Sequence, residues 1–170
     1  VTWGAYDDSL RHAITKMSHL HFVSTEIYRN RVLQLGESPK HVFNIGALGV
    51  DSISKLELLS KKALEKSLDF KFLKKNLLVT FHPVTTEGNS KEQLLELLSA
   101  LDEFPEVGLI FTGSNADNDS HILKKIISDY VDKRANAHLF ESLGQLRYFS
   151  CLRFVDGVVG NSSSGILEVP

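Results

Sequence analysis

Short apolar segments alternate with longer amphipathic segments along most of the chain. The apolar segments are rich in β-branched and aliphatic residues, which is typical of strands buried on both faces of a parallel sheet. The sequence therefore predicts a strand at each of them: residues 20–23, 42–45, 77–81, 107–112, 137–140 and 155–159.

The amphipathic segments predict helices between these strands. Apolar residues recur at helical spacing in residues 91–103, 120–131 and 143–154. Ser90 is the predicted N-cap of the first of these helices. Residues 7–35 predict two further helices around one strand. Alternation of strands and helices is typical of an open α/β sheet with right-handed crossovers.

Composition narrows the classes of protein that fit. The chain has 170 residues, of which 42% are hydrophobic and 24% charged, as in ordinary globular domains. A formal net charge of −2 argues against nucleic-acid binding, which usually requires a basic face. No apolar run approaches the ~20 residues that cross a bilayer, and the single cysteine excludes an internal disulfide. We expect a cytoplasmic protein with no nucleic-acid or membrane partner.

Three polar loops that follow predicted strands are the places to look for function, because open α/β sheets bind ligands outside the carboxyl ends of their strands. These loops are residues 82–89, 113–118 and 160–165. The last one, Gly-Asn-Ser-Ser-Ser-Gly, precedes a predicted helix that carries Glu168 about one turn in. Helix-start N–H groups and serine hydroxyls suit a phosphate, and a carboxylate suits ribose hydroxyls. A serine-capped helix without a ligand fits the spacing equally well.

His82 follows a predicted strand directly, and Pro83 prevents the chain from entering a helix at once. A histidine in this place can donate to a phosphate or move a proton. The pattern alone favours a histidine that only caps a turn.

Asp7 and Asp8 form an acidic first turn of a predicted helix, with Arg11 one turn further on. Helix capping and an i,i+4 ion pair are the better interpretation of this pattern alone. The functional interpretation is a carboxylate near a domain cleft, with an arginine for a diphosphate.

Asn115 and Asp117 alternate with other residues in the second loop, but the spacing lacks the glycine and the closing glutamate of a calcium-binding loop. The histidines form no zinc-like pair with Cys151. We therefore expect no metal site.

Three motifs together resemble the hydrolysing UDP-N-acetylglucosamine 2-epimerases of the sialic-acid pathway. Residues 7–16, Asp-Asp-Ser-Leu-Arg-His-Ala-Ile-Thr-Lys, look like the segment that ends that family's first domain. Residues 81–86, Phe-His-Pro-Val-Thr-Thr, look like the loop with its active-site histidine. Residues 160–168 look like its UDP-binding loop. The motifs occur in the family's order and cover almost the whole chain.

The resemblance implies an α/β, Rossmann-like parallel sheet with helices on both faces, within a two-domain GT-B architecture. Residues 1–45 are then the C-terminal portion of the first domain, and residues 46–170 are a UDP-binding second domain truncated at its C-terminus. The implied reaction converts UDP-GlcNAc and water to N-acetylmannosamine and UDP, through 2-acetamidoglucal and without a cofactor. The implied partners are a UDP-sugar and further copies of the chain, as a dimer or tetramer.

The resemblance also implies roles for single residues. One carboxylate of the pair Asp7 and Asp8 is expected to be catalytic, and His82 to lie near the diphosphate or the reacting sugar. Ser162 and Ser163 are expected to hold the β-phosphate, with Ser164 and Gly165 in the same substrate-binding loop, and Glu168 to hold the ribose. Arg11 is expected to contact phosphate, and backbone groups near Leu143 to face the uracil. Asn115 and Asp117 lie in a loop that is expected to face the cleft.

Other functions stay open beside this one. They are a hydrolysing epimerase for a UDP-2,4-diacetamido sugar, a non-hydrolysing UDP-GlcNAc 2-epimerase, a GT-B glycosyltransferase and a non-catalytic sugar-nucleotide-binding domain. An Asp-Asp pair where non-hydrolysing relatives are expected to carry Glu-Glu favours hydrolysis. Because the early part of the family's first domain is not in this chain, we expect the 170 residues alone to be inactive.

Overall fold

The computed structural model describes residues 6–83, 89–113 and 120–169. The chain divides into two compact units, Val1–Lys55 and Leu56–Pro170. The segment 46–55 lies in the first of these units. The predicted domain boundary after residue 45 stays a prediction. The interpretation of these units as parts of two enzyme domains stays a prediction.

The first unit contains a two-stranded parallel sheet and its neighbouring helices. The strands pair from His21 opposite Val42 to Val23 opposite Asn44. The two helices around one strand that were predicted for residues 7–35 are present. The elements are α1 (Tyr6–Met17), β1 (His21–Val23), α2 (Glu26–Gln34), a 3-10 turn (Pro39–His41), β2 (Val42–Asn44) and α3 (Leu48–Ser54).

The second unit is built on a four-stranded parallel sheet in the order β5-β4-β3-β6. Its strands lie where the apolar runs predicted them. The elements are α4 (Lys61–Leu68), β3 (Lys75–Thr80), α5 (Ser90–Asp102), β4 (Val107–Thr112), α6 (Ser120–Val131), β5 (Ala137–Phe140), α7 (Gly144–Leu152), β6 (Gly157–Gly160) and α8 (Ser164–Leu167).

Helices cover both faces of this sheet, as predicted. Successive strand residues point to opposite faces, so Val79 packs into one core and Leu78 into the other. The first core includes Leu94 of α5 and Leu123 of α6, and the second includes Leu64 of α4. Burial on both faces explains why these strands appear in the sequence as continuous apolar runs.

The second core also contains the chain's single cysteine. Cys151 lies in α7 and is fully buried. Burial raises the pKa of the Cys151 thiol to about 12. The thiol therefore behaves as a small apolar group in this core.

The direction in which strands are added to the sheet reverses between β3 and β6, which makes this a topological switch point. The chain passes from β3 to β4 and β5 on one side of the sheet and then returns to β6 on the other side of β3. Open α/β sheets bind ligands outside the carboxyl ends of their strands at such switch points. His82 follows β3, and the serine segment follows β6.

Two local predictions need correction. Ser90 is the first residue of α5, and Asn89 takes the N-cap position. The helix after the serine segment is the single turn α8, so Glu168 follows its last residue instead of lying within it.

Candidate functional site

A cavity of about 450 Å³ opens at the carboxyl edge of the larger sheet. Three segments line it: Thr112 at the end of β4, the region of Ser142 to Phe149 around the start of α7, and Ser162, Ser164 and Glu168 after β6. Pockets for small ligands and cofactors commonly measure about 300–1,000 Å³. The cavity is therefore large enough for a nucleotide-sized ligand.

The serine segment presents several donors around this cavity. Gly165 N–H donates to the Ser162 carbonyl at 3.2 Å, and Ser164 N–H donates to the Ser162 hydroxyl at 3.3 Å, so the turn is held by its own bonds. Ser162 and Ser163 N–H groups have no protein acceptor within the part of the chain that the structure describes. These N–H groups and the neighbouring hydroxyls can donate to an anion.

Tyr148 connects helix α7 to the serine segment. Its hydroxyl forms a hydrogen bond with the hydroxyl of Ser164, and both residues line the cavity. Burial raises the pKa of Tyr148, so the phenol stays neutral and available for hydrogen bonding at neutral pH. Tyr148 was not predicted as a site residue, because a tyrosine inside a helical apolar pattern carries no signal of a site.

Leu143 is buried at the start of α7 and lines the cavity. The residue after it, Gly144, has a φ of 62°, which brings the chain from β5 into the helix. Arg147 donates through Nε to the Leu143 carbonyl at 2.7 Å and through Nη2 to the Ser142 carbonyl at 3.2 Å. Arg147 thus occupies two of the backbone acceptors in the region where the sequence predicted a uracil contact.

His82 is held at the end of β3 by a residue that follows β6. The His82 N–H donates to the Asn161 side-chain oxygen at 2.8 Å, and the Asn161 side-chain nitrogen donates to the His82 carbonyl at 2.8 Å. The His82 ring is partly buried, and its Nδ1 atom has no hydrogen-bond partner within the described ranges. Asn161 lies within the predicted UDP-binding loop, but its contact with His82 was not predicted, since the two residues lie 79 positions apart.

Asp7, Asp8 and Arg11 lie on α1 of the first unit. Arg11 Nε pairs with the Asp7 carboxylate at 2.9 Å, and His12 Nε2 lies 3.8 Å from the Asp8 carboxylate. All four side chains are at least half exposed. These are the i,i+4 contacts expected of an acidic first turn. The catalytic and phosphate-binding roles of these residues stay predictions.

Four further residues were predicted to lie in the site: Asn115, Asp117, Ser163 and Gly165. Asn115 and Asp117 lie outside the described residues. Ser163 and Gly165 are exposed beside the cavity-lining serines.

Within residues 6–83, 89–113 and 120–169, no group of three or more His, Cys, Asp and Glu side chains could hold a metal ion. Over the same ranges no helix combines the length and the apolar character that crossing a membrane requires.

The four-stranded parallel sheet, its covering helices and the cavity at its carboxyl edge define a Rossmann-like α/β domain, the kind that occurs twice in a GT-B protein. A Staphylococcus aureus MnaA–UDP co-structure aligns with 96% of this chain and 42% of its own, with a TM-score of 0.71 and 17% identity. A Neisseria meningitidis UDP-GlcNAc 2-epimerase bound to UDP-GlcNAc aligns with 95% of this chain and 43% of its own, with a TM-score of 0.55 and 18% identity. These similarities show the fold.

Sequence comparison then gives the family. The sequence profile of the UDP-N-acetylglucosamine 2-epimerase family matches residues 1–170. The GDP/UDP-N,N'-diacetylbacillosamine 2-epimerase (hydrolyzing) of Campylobacter jejuni is 46% identical over 100% of this chain and 45% of its own length. The polysialic acid biosynthesis protein P7 of Escherichia coli is 43% identical over 99% of this chain and 43% of its own length. The chain belongs to the UDP-N-acetylglucosamine 2-epimerase family, and it spans less than half the length of these relatives.

Proposed function

We propose that the whole protein is a hydrolysing UDP-GlcNAc 2-epimerase, which converts UDP-GlcNAc and water to N-acetylmannosamine and UDP. The observation that carries the proposal is the cavity at the carboxyl edge of an epimerase-family sheet, lined by Ser162, Ser164 and Glu168. The relative from C. jejuni is named as hydrolysing, which supports release of UDP. The E. coli relative is named for polysialic acid biosynthesis, which supports a place in sialic-acid synthesis.

UDP binding is proposed to use the donors and the acceptor around this cavity. A diphosphate requires N–H and O–H donors, which the segment of Ser162 to Ser164 supplies. The Glu168 carboxylate can accept from the ribose hydroxyls. Tyr148 adds an aromatic wall with a polar tip. Solved relatives of the same fold that carry UDP or UDP-GlcNAc support this assignment.

The proposed chemistry proceeds in two redox-neutral steps. A carboxylate of the pair Asp7 and Asp8 removes the C2 proton while the C1–O bond to UDP breaks, which leaves 2-acetamidoglucal. Water then adds across the double bond, with hydroxyl to C1 and a proton to the opposite face of C2. Arg11 and His82 are proposed to stabilise or protonate the departing diphosphate.

A UDP-2,4-diacetamido sugar is the second candidate substrate. The specific observation in its favour is that two relatives, from C. jejuni at 46% identity and from Legionella pneumophila at 31%, are named as diacetylbacillosamine 2-epimerases. The same elimination and hydration at C1 and C2 serve this sugar, because its second acetamido group lies at C4, away from the reacting bond.

Proton NMR of the whole protein in D2O distinguishes these functions. Free UDP together with N-acetylmannosamine deuterated at C2 is the result expected with UDP-GlcNAc. Turnover of the diacetamido sugar alone would assign the second candidate. UDP retained on a C2-epimerised sugar would contradict hydrolysis, and UDP release only after addition of a sugar acceptor would indicate a glycosyltransferase.

Glu168→Gln tests the proposed ribose contact in the whole protein. Loss of a charge-assisted hydrogen bond is expected to weaken UDP binding by about 10-fold, or about 1.4 kcal/mol, in isothermal titration calorimetry. Glu103→Gln is the matched control, because Glu103 is exposed at the end of α5 and does not line the cavity. Equal UDP affinity of the Glu168→Gln variant and the control would remove Glu168 from the site.

Two further properties of the whole protein stay predictions: a cytoplasmic location and assembly into a dimer or tetramer. Multi-angle light scattering of the whole protein tests the assembly, and a monomer at micromolar concentration would contradict it.

A further inference from the structure

We infer that Asn161 is a positioning residue that fixes the main chain of His82 at the switch point between β3 and β6. Its side chain forms hydrogen bonds with both backbone polar groups of His82. The consequence for catalysis rests on the proposed function, whereas the positioning itself does not.

The side chain of Asn161 continues the hydrogen bonding between β3 and β6 beyond the last paired residues. Strands β3 and β6 pair in parallel as far as Thr80 opposite Gly160. One residue later, Asn161 N–H still donates to the Thr80 carbonyl at 3.3 Å. Beyond that point the carboxamide of Asn161 replaces a peptide group, accepting from His82 N–H and donating to His82 C=O, both at 2.8 Å.

The main chain of His82 needs such a partner because of where it lies. The following residue, Pro83, has no N–H with which to continue a ladder. The pairings of β3 with β4 and with β6 both end at Thr80, two residues before His82. The His82 Nδ1 atom is buried without a hydrogen-bond partner in the part of the chain that the structure describes. The direction of the ring therefore depends on how the backbone is held.

Only an asparagine meets both requirements at this length. Aspartate keeps the acceptor for His82 N–H but places an oxygen against the His82 carbonyl, and alanine removes both bonds. Both substitutions are therefore expected to release the main chain of His82. A role limited to overall stability would make Asn161 equivalent to any other asparagine that makes two bonds to the backbone.

Asn136 provides that matched control. Its side-chain nitrogen donates to the Pro105 carbonyl at 3.0 Å and to the Val107 carbonyl at 2.7 Å, before the start of β5 and beside the start of β4. These bonds lie at the amino ends of the strands, whereas His82 lies at a carboxyl end. Asn136→Ala is expected to lower the unfolding midpoint as Asn161→Ala does, without affecting His82.

The experiment uses the whole protein labelled with ¹⁵N-histidine, with His82→Gln to assign the signals. In Asn161→Ala and Asn161→Asp, the amide and ring signals of His82 are expected to move, and its amide to exchange with solvent at least about 10-fold faster. Both variants are expected to lose about 10- to 100-fold in kcat, with UDP affinity changed by less than about 3-fold. Asn136→Ala is expected to leave all of these quantities at the wild-type value.

Unmoved His82 signals in Asn161→Ala would overturn the inference, and so would equal movement in Asn136→Ala. Moved signals with unchanged kcat would overturn its catalytic consequence. If the wild-type protein turns over no UDP-sugar, the proposed function fails, while the histidine spectra still decide whether Asn161 positions His82.

Discussion

At Gly160 the last strand comes so close to β3 that a side chain cannot fit between them. A Cβ at this position would overlap the carbonyl oxygen of Thr80 and would lie 2.7 Å from the carbonyl carbon. The φ of Gly160 is 141°, a conformation that other residues rarely adopt. Glycine at this position therefore allows the close approach of β6 to β3 that precedes the Asn161–His82 hydrogen bonds.

Gly160→Ala is expected to lower the free energy of unfolding by at least about 2 kcal/mol, because it adds both backbone strain and a clash. Urea unfolding followed by circular dichroism measures the change. Gly165→Ala is the control, since a Cβ there meets nothing within 4 Å and the substitution should change stability by less than about 1 kcal/mol. Equal stability of the two variants would contradict the close approach of β3 and β6.

The hydrogen bond between Tyr148 and Ser164 predicts energetic coupling between α7 and the serine segment. Tyr148→Phe and Ser164→Ala should each cost about 1 kcal/mol, and the double variant should cost about 0.5–1.5 kcal/mol less than their sum. Urea unfolding of the four proteins in the cycle gives these values. Tyr148→Phe combined with Ser67→Ala should be additive, because Ser67 donates only to its own helix at Leu64.

For single residues, the sequence therefore identifies candidates within one short segment, whereas the structure identifies contacts between distant segments. The sequence drew attention to Ser162, Ser164 and Glu168 because a polar run after an apolar strand is visible within one short segment. The bonds from Asn161 to His82 and from Tyr148 to Ser164 arise only when β3, α7 and β6 come together. No local pattern encodes such contacts between distant segments.

Among the elements, the strands of the larger sheet were the most predictable. Burial on both faces requires continuous apolar runs, so 107–112 and 137–140 were located to the residue. Helix ends were less predictable, because neighbouring residues can both suit the N-cap position and the choice between them depends on the fold. Ser90 and Asn89 both suit an N-cap, and the fold placed Asn89 there.

The pairing of β3 with β6 is also expected to depend on pH at its amino end. The Asp156 carboxylate lies 2.7 Å from Lys75 Nζ and accepts the Asn76 N–H at 2.8 Å. The hydrogen bond from Lys75, with that from Asn76, lowers the pKa of Asp156 below its ordinary value of 3.8. A carboxylate with a lowered pKa in the folded state stabilises the fold at pH values above its ordinary pKa. This stabilisation is lost as the pH falls through the lowered pKa.

Asp156→Asn is therefore expected to lose less stability than the wild type between about pH 7 and about pH 3. Urea midpoints at the two pH values measure the difference. Asp132→Asn, at an exposed residue that forms no ion pair within the described ranges, should keep the wild-type dependence. A steeper acid loss in Asp156→Asn would reverse the sign argued here.

At the largest scale, the two units of this 170-residue chain differ in how much apolar surface they bury among the described residues. Both extended cores belong to the second unit. In the first unit Met17 is 87% exposed and Phe22 is 60% exposed, and its sheet has two strands. A two-stranded sheet with exposed apolar side chains is marginal in isolation.

The segment Leu56–Pro170 is accordingly expected to fold cooperatively when produced alone, because it contains both cores. Val1–Lys55 produced alone is expected to show no cooperative transition. Urea titrations followed by circular dichroism compare the two segments with the intact 170-residue chain. A gradual, non-cooperative loss of signal from Leu56–Pro170 would show that its cores depend on the first unit.

The reactivity of the buried Cys151 thiol reports how fast the second core opens. The chain has a single cysteine, so every labelling event reports on one position. A fully buried thiol with its pKa raised to about 12 is almost entirely protonated and shielded while α7 stays packed on the sheet. When a disulfide reagent is in large excess, the rate at which it modifies Cys151 then equals the rate at which α7 separates from the sheet.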